Sequence, residues 1–229
     1  AEHHISSIRL KKKWPIICGG TNLYAQAILR GLDKLPSPTT EVKLLLNSMN
    51  TNQIYEKLLE VDKLSALAIH PNDHRRIRRS LEIFLSSGIP ASELRNAWAK
   101  HEIRDDAIVI GLDWDVENIN KRINQRVKNM IEKNFLEEVK LLYSRDLLNS
   151  QSSSALGYSQ IIEHLKGNCS LQDAIEQIKI RTRRLAKQQR TWFSKFKHRS
   201  RCHWIKADGE STQVLLKKAL MVISRYSDI

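Results

Sequence analysis

Hydrophobic and polar positions change their period several times along this chain. Trp14-Pro15-Ile16-Ile17-Cys18 is a short continuous apolar run ended by Gly19-Gly20-Thr21, the pattern of a strand buried on both faces. A helix is expected at once, with Thr21 or Asn22 as N-cap, Leu23, Ala27 and Ile28 on its apolar side, and Gly31 as its stop. Between Leu35-Pro36-Ser37-Pro38 and Pro90 the pattern is wholly helical, with Val42, Leu45 and Leu46 followed by Ile54, Leu58 and Leu59. Ala107-Ile108-Val109-Ile110-Gly111-Leu112 returns to a buried-strand pattern. From Val116 onward helices resume. One stripe runs through Val116, Ile119, Ile123, Val127 and Met130, and another through Leu171, Ile175, Ile178, Leu185, Trp192 and Phe196 on a long C-terminal helix. Strand, glycine turn and helix make half of a parallel α/β unit. The pattern predicts an α/β protein whose sheet core comprises 1–32 and 104–229 with C-terminal helices, and whose residues 33–103 form an inserted all-helical domain.

Composition narrows the partners. The 229 residues carry a formal charge of +13, self-repulsion that a polyanion would offset, so nucleic acid is the leading partner. A hydrophobic share of 41% is that of a folded chain. Cys18, Cys169 and Cys202 are odd in number and far apart, which excludes a disulfide framework and fits a reducing cytoplasm. The apolar runs are too short to span a bilayer, so a soluble, cytoplasmic protein without a membrane partner is expected.

Four segments carry candidate chemistry. Gly19, Gly20 and Thr21 stand where a strand meets a helix N-terminus, where backbone N–H groups and a hydroxyl suit a phosphate. A tight turn needs such glycines for steric reasons alone. Arg75, Arg76, Arg78 and Arg79 crowd the start of a helix whose buried stripe is Ile77, Leu81, Phe84 and Leu85. There they oppose one another and the helix dipole, so phosphate binding explains them better than local stability does. Arg183, Lys187 and Arg190 form a cationic ridge opposite an apolar stripe, which suits a diphosphate or an RNA backbone equally. Arg122 and Arg126 are one turn apart, downstream of Asp113 and Asp115; they fit a surface ion-pair network or an anion clamp. No Ser-His-Asp order, H-E-x-x-H or cysteine-rich zinc pattern occurs, so no protein metal site is expected.

In this order the segments resemble the tRNA dimethylallyltransferase family over nearly the whole chain. Pro15 to Tyr24 is similar to that family's strand and G-G-T-x-L-Y turn, and Pro71 to Glu82 to its P-x-D-x-x-R-I-x-R-A-L-E segment. Arg122-Ile123-Asn124-Gln125-Arg126 with Met130 resembles R-I-x-x-R-x-x-x-M, Leu156-Gly157-Tyr158 the G-Y turn, and Thr182 to Gln189 with Trp192 the T-R-x-L-A-K-R-Q…W helix.

The resemblance implies a P-loop-NTPase-like core holding dimethylallyl diphosphate and an inserted helical domain gripping the tRNA anticodon stem-loop. The adenine 3′ to the anticodon is flipped out, its N6 attacks the allylic carbon, and diphosphate leaves with Mg²⁺. Gly19, Gly20 and Thr21, with Arg122, Arg126, Arg183 and Lys187, would hold the diphosphate. Arg75, Arg76, Arg78 and Arg79, with Ser154, Leu156, Gly157, Tyr158 and Ser159, would hold the tRNA. The family's G-x-x-x-x-G-K-[ST] P-loop and the Asp general base after it do not occur in these residues. This polypeptide alone is therefore expected to be inactive, with most Mg²⁺ ligands outside it. Gln188 replaces a basic residue, Asn134 stands where the family turns on Gly, and the eukaryotic zinc finger is absent, which favours a bacterial-type enzyme; a monomer is expected. An adenylate isopentenyltransferase and a non-catalytic RNA-binding paralogue are the competing readings.

Overall fold

A computed structural model describes residues 1–95 and 103–226. The chain divides into two compact units, Ala1–Asp105 and Asp106–Ile229. In the first unit every described element is helical: α1 (Glu2–Leu10), α2 (Asn22–Arg30), α3 (Thr40–Asn47), α4 (Thr51–Val61), α5 (Lys63–Ala68), α6 (His74–Ser87) and the single turn α7 (Ala91–Leu94). Local chemistry sets the boundaries. Thr39 accepts from the Val42 N–H, and Asn50 and Gln53 form a reciprocal capping box at α4. Gly88, left-handed at φ 72°, ends α6.

The faces left apolar by these helices meet in a core of Leu46, Ile54, Leu58, Ala66, Ile69, Ile77 and Leu81. Leu46, Leu58 and Leu81 are wholly buried, each worth about 1.5–3 kcal/mol of transfer free energy. Asp62 joins α5 to α7. Its carboxylate accepts from the Ser65 N–H at 3.0 Å, the Ser92 N–H at 2.9 Å and the Ser92 hydroxyl at 2.7 Å. Burial alone would raise its pKa, but the hydrogen bonds from Ser65 and Ser92 together outweigh that and lower it.

The strand expected at 14–18 is not formed. That segment has no regular structure, and Trp14 and Ile16 are 55% and 85% exposed. A strand buried on both faces needs ladder neighbours to accept its backbone groups, and no strand is described in this unit to supply them. The helix beginning after Thr21 forms as expected.

The second unit holds the sheet. β1 (Val109–Asp113) pairs in parallel with β2 (Cys202–Lys206), Val109 opposite Cys202 and Asp113 opposite Lys206. β1 was expected; β2 was not, since helices were read from Val116 onward. Gly111 is required at the pairing: a Cβ there would lie 2.4 Å from the Trp204 ring. Around the strands run α8 (Val116–Glu132), α9 (Phe135–Ser144), α10 (Ser150–Ser153), α11 (Tyr158–Leu165), α12 (Leu171–Phe193) and α13 (Thr212–Ile223). Asp208, reaching from beyond β2, caps α8 by accepting from the Asp115 N–H with both oxygens, at 3.1 and 2.9 Å.

Val127, Phe135, Val139, Ile161, Ile162, Ala174 and Ile178 form this unit's core. Along the expected stripe Ile178 and Phe196 are buried, Leu171, Ile175 and Trp192 are half-buried, and Leu185 is 45% exposed.

Candidate functional site

Ile123 and Val127 turn one side of α8 into the core, which leaves Arg122 and Arg126, each one position before a buried residue, together on a flank. That flank borders a cavity of about 980 Å³ whose lining also includes Lys121, Met130, Lys133, Phe135, Glu138 and Tyr158. Two unusual backbone positions bring the last three in. Asn134 takes φ 63°, ψ 30° between α8 and α9, a left-handed conformation that Asn tolerates better than most residues. Gly157 takes φ 100° before Tyr158, where a Cβ would also stand 3.1 Å from Phe135 Cζ; only glycine fits both constraints. Its N–H donates to the buried Gln160 side chain at 2.8 Å.

Phe135 and Tyr158 meet edge to face, with centroids 5.5 Å apart. The Tyr158 hydroxyl donates to Glu138 Oε1. That hydrogen bond, then burial, then the carboxylate's charge push the Tyr158 pKa up. Arg122 also stacks 5.1 Å from the Trp114 ring centre. On the other side of α8, Arg183 Nη1 donates to Asn124 Oδ1 at 3.2 Å, joining α12 to α8, and Lys187 follows one turn later, exposed.

A second groove, of about 550 Å³, lies on that other side and is lined by Lys121, Lys128, Lys179, Asn124 and Gln172 among others. Its three lysines pair with glutamates on their own helices: Lys121 with Glu117 at 2.6 Å, Lys128 with Glu132 at 3.8 Å and Lys179 with Glu176 at 2.6 Å. The groove is therefore close to neutral. The Arg122–Arg126 cavity, where Arg122, Arg126 and Lys133 outnumber the acidic Glu138 even with Lys121 paired to Glu117, is the better anion site of the two.

In the first unit the arginine cluster separates into two kinds of residue. Arg78 donates to the Leu46 carbonyl at 3.1 Å and the Asn47 side chain at 2.7 Å, closing the C-terminus of α3. Arg79 donates to the Pro36 carbonyl at 2.9 Å and to Glu82. Arg75 and Arg76 are exposed, Arg76 beside the N-cap Asp73 at 3.2 Å. Arg95, which the sequence reading missed, sits in the same field. Burial lowers its pKa, and the charge of Arg79 lowers it further. At Gly19-Gly20-Thr21 the backbone is irregular. Thr21 occupies the N-cap position of α2, but its hydroxyl makes no capping hydrogen bond. The Asn22 Oδ1 and Gln26 Oε1 atoms, one turn apart on α2, are buried without a hydrogen-bond partner.

Of the other expected contacts, Ser154 donates back to the Gln151 carbonyl at 2.9 Å, Ser159 accepts from Gln160, and Leu156 is 40% exposed. Glu138 and Phe135 went unread in the sequence because an acid and an apolar residue in a helix's first turn are ordinary there. Among the described residues, no group of three or more His, Cys, Asp or Glu stands close enough to hold a metal ion, and no helix is long and apolar enough to cross a membrane.

A family model described as IPP transferase matches residues 1–196. The chain belongs to the IPP transferase family. Among curated relatives of this family, a tRNA dimethylallyltransferase of Oceanobacillus iheyensis is 36% identical over 213 residues, covering 91% of this chain and 67% of that protein. The enzyme of that name from Bacillus pumilus is 40% identical over 194 residues, or 82% of this chain and 61% of the relative. The chain thus spans about two thirds of the length of its curated relatives. Among solved structures, a tRNA delta(2)-isopentenylpyrophosphate transferase from Staphylococcus epidermidis superposes with a TM-score of 0.62 at 33% identity, covering 99% of this chain and 74% of that one. A eukaryotic dimethylallyltransferase captured acting on tRNA gives a TM-score of 0.76 at 26% identity, covering 98% and 60%. The helix-rich α/β architecture of this chain, with its small parallel sheet, is similar to these solved structures.

Proposed function

We propose that this chain belongs to a tRNA dimethylallyltransferase, which transfers the dimethylallyl group of dimethylallyl diphosphate to N6 of the adenosine 3′-adjacent to the anticodon. The observation that carries the reading is the cavity shared by Arg122, Arg126 and Tyr158, an anion-holding rim beside an aromatic side chain. In the transfer, the N6 lone pair forms the new bond to the allylic carbon as the carbon–oxygen bond to diphosphate breaks. Negative charge grows on the leaving oxygens, and fixed guanidinium donors placed there favour the transition state over the ground state. Arg122 and Arg126 take that part; Arg183 and Lys187 stand on the other side of α8, outside the lining of this cavity. The N6 proton passes to a base that these residues do not supply.

Mg²⁺ supplies charge neutralisation when it travels with a diphosphate. The described residues offer no carboxylate cluster for it, so no step is assigned to it. For the tRNA, the exposed Arg75 and Arg76 suit phosphate contacts, while Arg78 and Arg79 hold the scaffold beneath them. We also infer that residues 33–103 are a helical insertion and that the protein is a cytoplasmic monomer.

Kinetics of the full gene product test the assignment. Arg126→Ala should lower kcat/KM for dimethylallyl diphosphate by on the order of 100-fold while tRNA affinity changes little. Loss confined to tRNA affinity would move Arg126 out of the diphosphate site.

A further inference from the structure

Glu138 is an anomaly in its surroundings. It lines the same cavity as Lys121, Arg122, Arg126 and Lys133, yet none of the ion pairs among the described residues joins it to them. Instead its Oε1 accepts the Tyr158 hydroxyl, a neutral donor, and its Oε2 makes no hydrogen bond among the described residues. The side chain is exposed on the first turn of α9, so its carboxylate is not needed to satisfy a buried group. A carboxylate beside a phosphate site lowers affinity for every phosphate, so it earns no place there as an anion ligand. What an oriented, half-used carboxylate does well is accept N–H from the amino group of a nucleobase, the pairing that distinguishes amine-bearing bases from the rest.

We propose that Glu138 is a base-reading residue, whose free oxygen accepts from the exocyclic amine of a base in the bound RNA loop. This rests on the tRNA reading above. Tyr158 is the positioning residue. Its hydroxyl fixes the carboxylate, and its half-buried ring, braced edge-on by Phe135, gives the same base an aromatic surface. The cations on the rim meet phosphate groups, so attraction and selection are divided between different side chains of one cavity.

Binding of anticodon stem-loop RNAs to the full gene product tests this. In each RNA one amine-bearing purine is replaced by its analogue without the amine, purine riboside for adenosine and inosine for guanosine. Wild type, Glu138→Ala and Glu138→Gln are compared, with thermal melts to establish that all three fold. At one loop position, amine removal should weaken wild-type binding on the order of tenfold and E138A binding hardly at all. E138Q, which keeps one acceptor oxygen, should retain part of the discrimination. If every amine removal costs E138A as much as wild type, Glu138 reads no base and only ties α9 to α11. If wild type binds none of the stem-loops, the tRNA reading itself fails, and this proposal with it.

Discussion

The guanidinium of Arg78 donates to the main-chain carbonyl of Leu46 at 3.1 Å, binding the start of α6 to the end of α3. A helix C-terminus leaves its last carbonyls without partners, and here an arginine from a distant helix satisfies one of them. Arg78→Ala should therefore cost about 1.5–3 kcal/mol of stability, as loss of a charge-assisted hydrogen bond does. Arg75→Ala should stay within about 0.5 kcal/mol. Chemical denaturation of the two variants checks the contrast.

RNA binding should show the opposite order. Arg75 and Arg76 are exposed, and each phosphate contact they make releases counterions. Replacing either by Ala should weaken tRNA binding and reduce the slope of log affinity against log salt by about 1. A salt titration with unchanged slope would remove them from the interface.

Asp62 gives a pH signature. Its folded pKa lies below the ordinary value of 3.8, so the unfolded chain binds its proton first as pH falls. Its contribution to stability is then complete above about pH 5 and is lost on acidification through 3.8 and below. Asp62→Asn should lower stability at neutral pH and flatten the fall of the melting temperature between about pH 5 and 3. An unaltered acid profile would show that the hydrogen bonds from Ser65 and Ser92 do not favour the ionised form.

Backbone conformation makes Asn134 and Gly157 unequal. Asn134→Gly should be neutral or slightly stabilising at φ 63°, whereas Asn134→Ala should cost about 1 kcal/mol. Gly157→Ala adds strain at φ 100° and a 3.1 Å contact with Phe135. It should cost more than N134A and reduce activity by displacing Tyr158. Melting temperatures and steady-state rates of the three variants check this.

The sequence made parts of this legible and hid others for physical reasons. The helices through Ile123–Val127 and Ala174–Ile178 announce themselves because one face is buried at a 3.6-residue period. Trp14–Cys18 and Val109–Asp113 look alike as text, but only the second finds a parallel partner, and strand formation depends on that partner. β2 was missed because Cys-His-Trp-Ile-Lys mixes polar and apolar residues without the run a buried strand shows. At the candidate site, Arg122, Arg126 and Tyr158 were named from spacing and resemblance. Their meeting around one cavity depends on the turns at Asn134 and Gly157. The bracing done by Arg78 and Arg79 was illegible because their acceptors, Leu46, Asn47 and Pro36, lie more than thirty positions away. Asn134 shows the reverse case: a departure from a family glycine that the left-handed backbone explains.

The central claim is tested most directly by offering the full gene product labelled dimethylallyl diphosphate together with unmodified tRNA and AMP in one reaction, then locating the label by mass spectrometry. The account predicts label on N6 of the adenosine 3′ to the anticodon and none on AMP. Label on AMP with tRNA unmodified, or no label on either, would contradict it.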